Sequence, residues 1–316
     1  MGLTAQPDMW FDPDMSIGVE GRIERLNVAA ARRVIEPDHD LPGALGPGRV
    51  LPDELLSIHG LDLDLSEEQR IRLGREELAA SLRSGILFEA VLEAGFAMQI
   101  AKSDDVTDPR ITFLLHEIGE ETRHQRVFQR LVQQLQPTAV RRQLGLVDRA
   151  LEAAGPHLII ALPALFHTLV LAGEEIPDLL QQRSIAHPDT DPFLKEVNRY
   201  HRSEEARHLS YAKAVFPEVW SEANRIDRLA VHHVAPWVVK DMFRFLVGPG
   251  VYETVGLPGR ETWEAVQQLP GRRALLHEAM RNVLATLVDA GALRTTRLPA
   301  GWRDVCGLDA RGQPVG

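Results

Sequence analysis

The chain has 316 residues, a formal net charge of −10, and 44% hydrophobic against 25% charged residues. This is an ordinary globular composition with enough apolar material for a sizeable core. The acidic balance argues against nucleic acid, which needs a basic face, and against an anionic membrane surface. One cysteine, Cys306, leaves no intramolecular disulfide and no cysteine-rich metal site, and fits a reducing, cytoplasmic setting.

Met1 to Asp14 carries acids and prolines in place of a basic start and an apolar run, so no secretory signal is expected. Residues 1–60 are rich in Pro and Gly and read as an irregular wrap with one short helix near Val19 to Val34. Ser66 and Gln69 form a capping box for a long helix reaching about Lys102. Asp108-Pro109 opens the next, which stops before Pro137. Further helices are expected over 138–154, 158–183, 190–216, 218–246 and 261–291, with a frayed tail over 309–316. The apolar run Leu158 to Gly173 is too short, and too broken by Pro163 and His167, to span a membrane. No strand alternation is visible. The expectation is a single all-α domain: an N-terminal wrap, a four-helix core over 61–216 and additional helices over 217–308.

Four of these helices carry charge where apolar residues belong. Glu89 lies on the stripe of Leu82, Gly85, Ile86, Leu92 and Phe96, and a lone carboxylate there is costly to bury. Glu93 touches the edge of that face. On the next helix Glu121 and His124 stand at i and i+3, on the face of Leu114, Ile118 and Phe128. On the helix around residue 205, His201, Glu205 and His208 occupy i−4, i and i+3 of one stripe, with Glu204 and Arg207 off it and free to reach solvent or pair locally. Between them Glu174 and Glu175 sit in an apolar helix. The helical wheel favours Glu175, but Pro177 disturbs the wheel.

In chain order the pattern is Glu, Glu-x-x-His, Glu, Glu-x-x-His, the ligand signature of ferritin-like di-iron carboxylate bundles. Four converging carboxylates in a low-dielectric core would protonate or repel, and two ferrous ions cancel their charge. One Glu-x-x-His is weak, since about one arises by chance at this composition. Glu36-Pro37-Asp38-His39 is such a decoy, in a proline-broken stretch. Two copies on core-facing helices, each preceded by a helix with a buried Glu, are specific. The bland alternative, buried polar residues in a plain bundle, leaves the acids unexplained.

The third histidine, His201, gives the last helix the pattern His-x-x-x-Glu-x-x-His. In this, and in Asp108-Pro109, the Glu89 helix and the segment Leu51 to Leu56, the chain resembles the p-aminobenzoate N-oxygenase (AurF-like) di-iron family over roughly residues 50–215. The resemblance implies iron ligation by Glu89, Glu121, His124, His201, Glu205 and His208, and its spacing falls on Glu174 where the wheel favours Glu175. It also implies O2 as co-substrate, an amine oxidised to hydroxylamine or nitro product on a small molecule, an external electron donor and a homodimer. Alternatives are a di-iron hydroxylase or desaturase of another small or carrier-bound substrate, and a non-catalytic iron-binding helical protein. Glu117 and Asp178 are candidates to support the ligands, though exposed helix charges are the more ordinary reading of each. Arg123 and Arg207, each one residue before a ligand histidine, are expected to bond carboxylates or face solvent. His157 and His167 are read as structural, His232 and His233 as core or surface residues more readily than pocket lining, and Trp220, Trp237 and Trp263 as core anchors.

Overall fold

A computed structural model describes residues 18–32, 34–139 and 154–314. No β-strand occurs among them; Leu308 and Pro314 form one isolated bridge. The wrap contributes α1 (Val19–Arg32) and the single turn α2 (Pro37–Asp40). The long helices are α3 (Glu67–Lys102), α4 (Pro109–Leu135), α5 (Pro163–Ala186) and α6 (Pro192–Glu222). A short helix over Ala154–Ile160 precedes α5, and after α6 come α7 (Arg225–His233), α8 (Ala235–Phe245), α9 (Pro249–Glu253), α10 (Gly259–Gln268), α11 (Pro270–Asp289) and α12 (Ala300–Cys306).

The expected starts of α3 and α4 are present. Ser66 and Gln69 exchange the capping-box bonds, and Asp108 accepts from the Arg110 amide. Asp191 caps α6 through the Phe193 and Leu194 amides, while its other oxygen accepts from Gly46 N–H at 2.8 Å. One carboxylate thus starts a core helix and pins the N-terminal wrap to it. The residue before α5, Leu162, has no capping side chain. Asp227 of α7 takes that role across space, accepting from the Ala164 and Leu165 amides at 2.8 and 2.9 Å.

Several boundaries differ from expectation. The segment 158–183 bends by 109° between Ala154–Ile160 and Pro163–Ala186, because Pro163 suits the first turn of a helix and not its interior. Pro217 does not end α6, which runs through it to Glu222; the stop comes where Asn224 caps α7. The expected helix 218–246 is therefore α7 and α8, joined at Val234 with Pro236 in the first turn of α8. The expected helix 261–291 is α10 and α11, divided at Leu269-Pro270. Helices α9 and α12 were not expected. Residues Asp309 to Gln313 close a hydrogen-bonded turn where a frayed tail was expected. The predicted helix 138–154 lies mostly outside the described residues.

Helix α3 packs along α4, and α5 along α6, making the four-helix core. Helix α1 lies against α4 and α6, with Ile23 fully buried, so it belongs to the body. The C-terminal helices α7, α8 and α11 pack against α5, and α12 packs on those three. Three apolar clusters surround the middle of the bundle. The largest joins α5 and α6 to the C-terminal layer. A second joins Leu41 and Val50 of the wrap to α3, α4 and the start of α6. The third joins Leu56, Ile58, Leu65 and Leu73 to α9 and α10. Trp263 is buried there, whereas Trp237, expected as an anchor, is 63% exposed. Among the described residues α3 alone is a single helix long and apolar enough to cross a membrane.

Candidate metal centre

Helix α3 brings Glu89 to the middle of the bundle, α4 brings Glu117, Glu121 and His124, α5 brings Glu174, and α6 brings His201, Glu205 and His208; every one of these side chains is buried. The 3.6-residue repeat puts the α4 and α6 groups one turn apart on facing stripes. The two Glu-x-x-His motifs mesh reciprocally. His124 Nδ1 lies 3.1 Å from Glu121 Oε2 of its own helix and 3.1 Å from Glu205 Oε1 of the other. His208 Nδ1 lies 3.0 Å from Glu205 Oε2 and 3.2 Å from Glu121 Oε1. His201 turns Nε2 inward, 3.4 Å from both Glu89 Oε1 and Glu205 Oε1, and its Nδ1 meets Gln181 Oε1 at 3.1 Å. Among the described residues, three groups of ligand atoms lie close enough to share an ion: Glu89 with His124 and His201, Glu117 with Glu121 and His208, and Glu121 with His124 and Glu205.

The outward nitrogens are also held. His124 Nε2 donates to Glu204 Oε2 at 3.0 Å, and His208 Nε2 donates to Glu120 Oε2 at 2.8 Å. Arg207 donates to Glu120 at 2.8 Å and lies 3.7 Å from Glu204; Arg123 is 3.7 Å from Glu204. A carboxylate only accepts, so Glu204 and Glu120 hold the proton on Nε2 and aim Nδ1 at the centre, where a bound ion would take the place of its proton. Each outer carboxylate comes from the helix opposite its histidine, so the two motifs cross-brace one another.

The outer carboxylates are where sequence reasoning fell short. Glu204, expected at solvent or in a local pair, is buried against His124, and Glu120 was not singled out at all. The available signal was the repeated run Glu-Glu-x-Arg-His at 120–124 and 204–208. Glu117, read more readily as an exposed charge, is 1% exposed and belongs to the cluster. Its position one turn before Glu121 was the clue. On α5 the two neighbouring acids have different surroundings. Glu174 is buried and feels the cluster: burial, then the charges of Glu205 and Glu121, raise its carboxyl. Glu175, favoured by the wheel, bonds Lys213 and Asn282, both at 2.7 Å, away from it. Asp178 pairs with Arg202 at 2.6 Å, and Glu93 accepts from Gln125 at 2.7 Å. His232 donates to the Ala292 carbonyl at 2.9 Å. The decoy at 36–39 is α2, at the surface, where Glu36 and Asp38 bind Arg126.

Burial and mutual repulsion divide the acids. Burial, with Glu121 and Glu205 adding repulsion, holds the Glu89 carboxyl well above its ordinary range, and burial with Glu205 and Glu121 does the same to Glu174. Burial pushes Glu117 up to about 8. Burial would also raise Glu205, but the charges of His208 and His201 and bonds from His124 and His208 outweigh it and keep that group well below 4.5. His124 and His208 are held well above the usual histidine range: burial opposes their charge, and the surrounding carboxylates overcome it. Burial and the His124 charge bring His201 down to about 4. Even so, Glu89 Oε2, Glu117 Oε2 and Glu204 Oε1 are buried without a hydrogen-bond partner, and Glu121 Oε1 and Glu205 Oε1 face imidazole nitrogens at 3.2 and 3.1 Å that are not aligned to bond them. Buried acceptors left unmatched in such number are rare in a protein interior. An oxygen-rich set with inward imidazole nitrogens is the donor set for hard-to-borderline divalent ions such as Fe(II).

A helical bundle with carboxylates and histidines converging from its four long helices defines the ferritin-like class of metal proteins. Residues 19–291 match the family of p-aminobenzoate N-oxygenase AurF, and the chain belongs to that family, whose members are helical di-iron proteins. It is also similar to the uncharacterized protein Rv0885 of Mycobacterium tuberculosis and the uncharacterized protein Mb0909 of Mycobacterium bovis. Each is 26% identical over 253 residues, covering 78% of this chain and 72% of the relative.

Proposed function

We propose that the protein is an O2-dependent non-haem di-iron oxygenase that N-oxygenates an amine on a small molecule. The observation that carries the reading is the set of orphaned buried carboxylate oxygens facing three inward imidazole nitrogens, in a chain of the AurF family. Glu89, Glu121, His124, Glu174, His201, Glu205 and His208 would hold two irons, with Glu117 an eighth candidate within reach of Glu121 and His208. When bound, the pair of irons supplies reduction of O2 and oxidation of the amine.

The chain's own residues have separate tasks. Glu120 and Glu204 keep the proton on the outer nitrogen of His208 and His124, so that Nδ1 faces the centre. Arg207 holds Glu120 in place. Phe113, Phe96, Leu92 and Leu114 are buried in the adjoining core cluster, which limits water in the middle of the bundle.

The reading includes an external electron donor and a second copy of the chain. No nucleic acid or membrane partner is part of it. The test loads the full chain anaerobically with Fe(II), reduces it, and exposes it to 18O2 with a panel of aryl amines. Hydroxylamine or nitro products carrying 18O are expected. Oxidation of C–H bonds alone would favour the hydroxylase alternative, and iron uptake without any product would favour the non-catalytic one.

A further inference from the structure

Each imidazole at the centre has an outer partner, and one of the three partners differs in kind. His124 and His208 set Nε2 on the carboxylates of Glu204 and Glu120. His201 is turned the other way round: Nε2 faces inward, and Nδ1 meets the amide oxygen of Gln181 at 3.1 Å. Gln181 stands seven residues after Glu174, on the same stripe of α5. It lies between two further bonds from α6 to α5, Arg202 to Asp178 at 2.6 Å and Asn198 to Ser184 at 3.0 Å.

An amide oxygen only accepts, so in this pose Nδ1 carries the proton and Nε2 is the ligating atom. Two properties of the amide set His201 apart. A neutral acceptor makes a hydrogen bond roughly half as strong as a carboxylate does, so it makes the ring a weaker donor to an ion. An amide can also turn over and donate its NH2 to Nδ1, which suits the tautomer with the proton on Nε2, and that tautomer cannot ligate. An ionised carboxylate has no donating pose. The spacing agrees. His201 Nε2 stands 3.4 Å from Glu89 Oε1 and from Glu205 Oε1, whereas Nδ1 of His124 and of His208 stands 3.0 to 3.2 Å from Glu121 and Glu205. Beyond Gln181 the ring is held by packing, with the Phe128 and His124 rings at 4.9 and 4.4 Å.

We propose that Gln181 is a positioning residue that makes His201 the exchangeable one of the three imidazole ligands, so that the position His201 takes on an ion is the one a small incoming ligand such as O2 claims. This role presupposes the iron pair proposed above and names the side chain that yields. No electron moves in the exchange: the Nε2 lone pair leaves the ion and returns. The ring stays neutral, its proton on Nδ1 when bound and on either nitrogen when released.

Nitric oxide, a neutral probe of open positions on Fe(II), tests it. It is titrated anaerobically into the Fe(II)-loaded full chain and read by electron paramagnetic resonance, with iron counted in every sample. Gln181→Glu, which gives His201 the backing that His124 and His208 have, should weaken nitric oxide binding about tenfold. Gln181→Leu, which leaves Nδ1 without an acceptor, should strengthen it about tenfold. Ser184→Ala breaks the neighbouring bond between α5 and α6 and should leave nitric oxide binding as in the parent, because a merely structural contact does not reach the ion. Gln181 variants that both shift the same way, or that do not shift at two irons per chain, would overturn the proposal and leave the iron pair standing. Should Gln181→Leu shed iron, Gln181→Glu decides alone, and unchanged or tighter nitric oxide binding overturns the proposal. Fewer than two irons in the parent chain would overturn the iron reading and this role with it.

Discussion

Helix α3 buries acids at two levels, and they are treated differently. Near its start, Glu76 accepts from the Thr138 and Ala139 amides at 2.6 and 3.1 Å, and from Arg72 at 2.7 Å. Glu77 accepts from Ser57 N–H at 2.8 Å and Ser57 Oγ at 2.6 Å. Every oxygen of this pair is matched by protein, and the pair ties the wrap and the segment after α4 to the bundle. Some turns later Glu89 keeps an orphaned oxygen among other orphaned acids. Burial alone therefore does not mark a binding site. Burial without protein donors does, because such groups are tolerated only when something else completes them.

The largest effect expected from this contrast follows Glu205→Ala. Glu205 touches all three histidines of the cluster, so its loss should abolish binding of the iron pair. It should also destabilise the chain by about 3 kcal/mol or more by stranding charged imidazoles. Iron content and melting temperature, with and without Fe(II), measure both; a variant that keeps full iron content contradicts the ligand set.

Glu77 should behave as a structural acid with a pH signature. Burial raises it to about 7 against the opposing Ser57 bonds and the Arg272 charge, from an ordinary 4.5. A raised folded-state value means that its contribution is full below the unfolded value and is lost as pH rises through about 7. The parent chain should therefore lose about 3 kcal/mol more than Glu77→Gln between about pH 5 and pH 8, at unchanged iron content. Denaturant unfolding at a series of pH values shows it; parallel curves would contradict it.

The smallest effect belongs to Asp178, whose bond to Arg202 lies at the partly exposed edge of α5 and α6. Asp178→Asn should cost under about 1 kcal/mol and leave iron binding intact. A loss of iron would move Asp178 into the centre's support.

The same contrast explains what the sequence could disclose. Glu89, Glu121, His124, Glu205 and His208 were legible because helical period alone sets a charge among apolar neighbours. Glu120 and Glu204 were not, because a wheel treats the residue beside a stripe as its flank, whereas α4 and α6 face a bundle interior wide enough to bury the flank as well. Glu174 and Glu175 differ by one position in a helix buried nearly all round, so amphipathicity could not choose; Lys213 and Asn282, which bond Glu175, are distant in sequence. Helix starts marked by Asp-Pro or a capping box were readable locally. The break after Glu222 was not, since Pro217 offered a stronger local signal than the cap at Asn224 that in fact restarts the chain.

The most direct test of the central claim is the number of irons per chain after anaerobic Fe(II) loading and desalting. The account predicts about two, lost in Glu205→Ala and retained in Glu77→Gln. Zero or one iron in the parent chain would mean that the orphaned carboxylates serve something other than a di-iron centre.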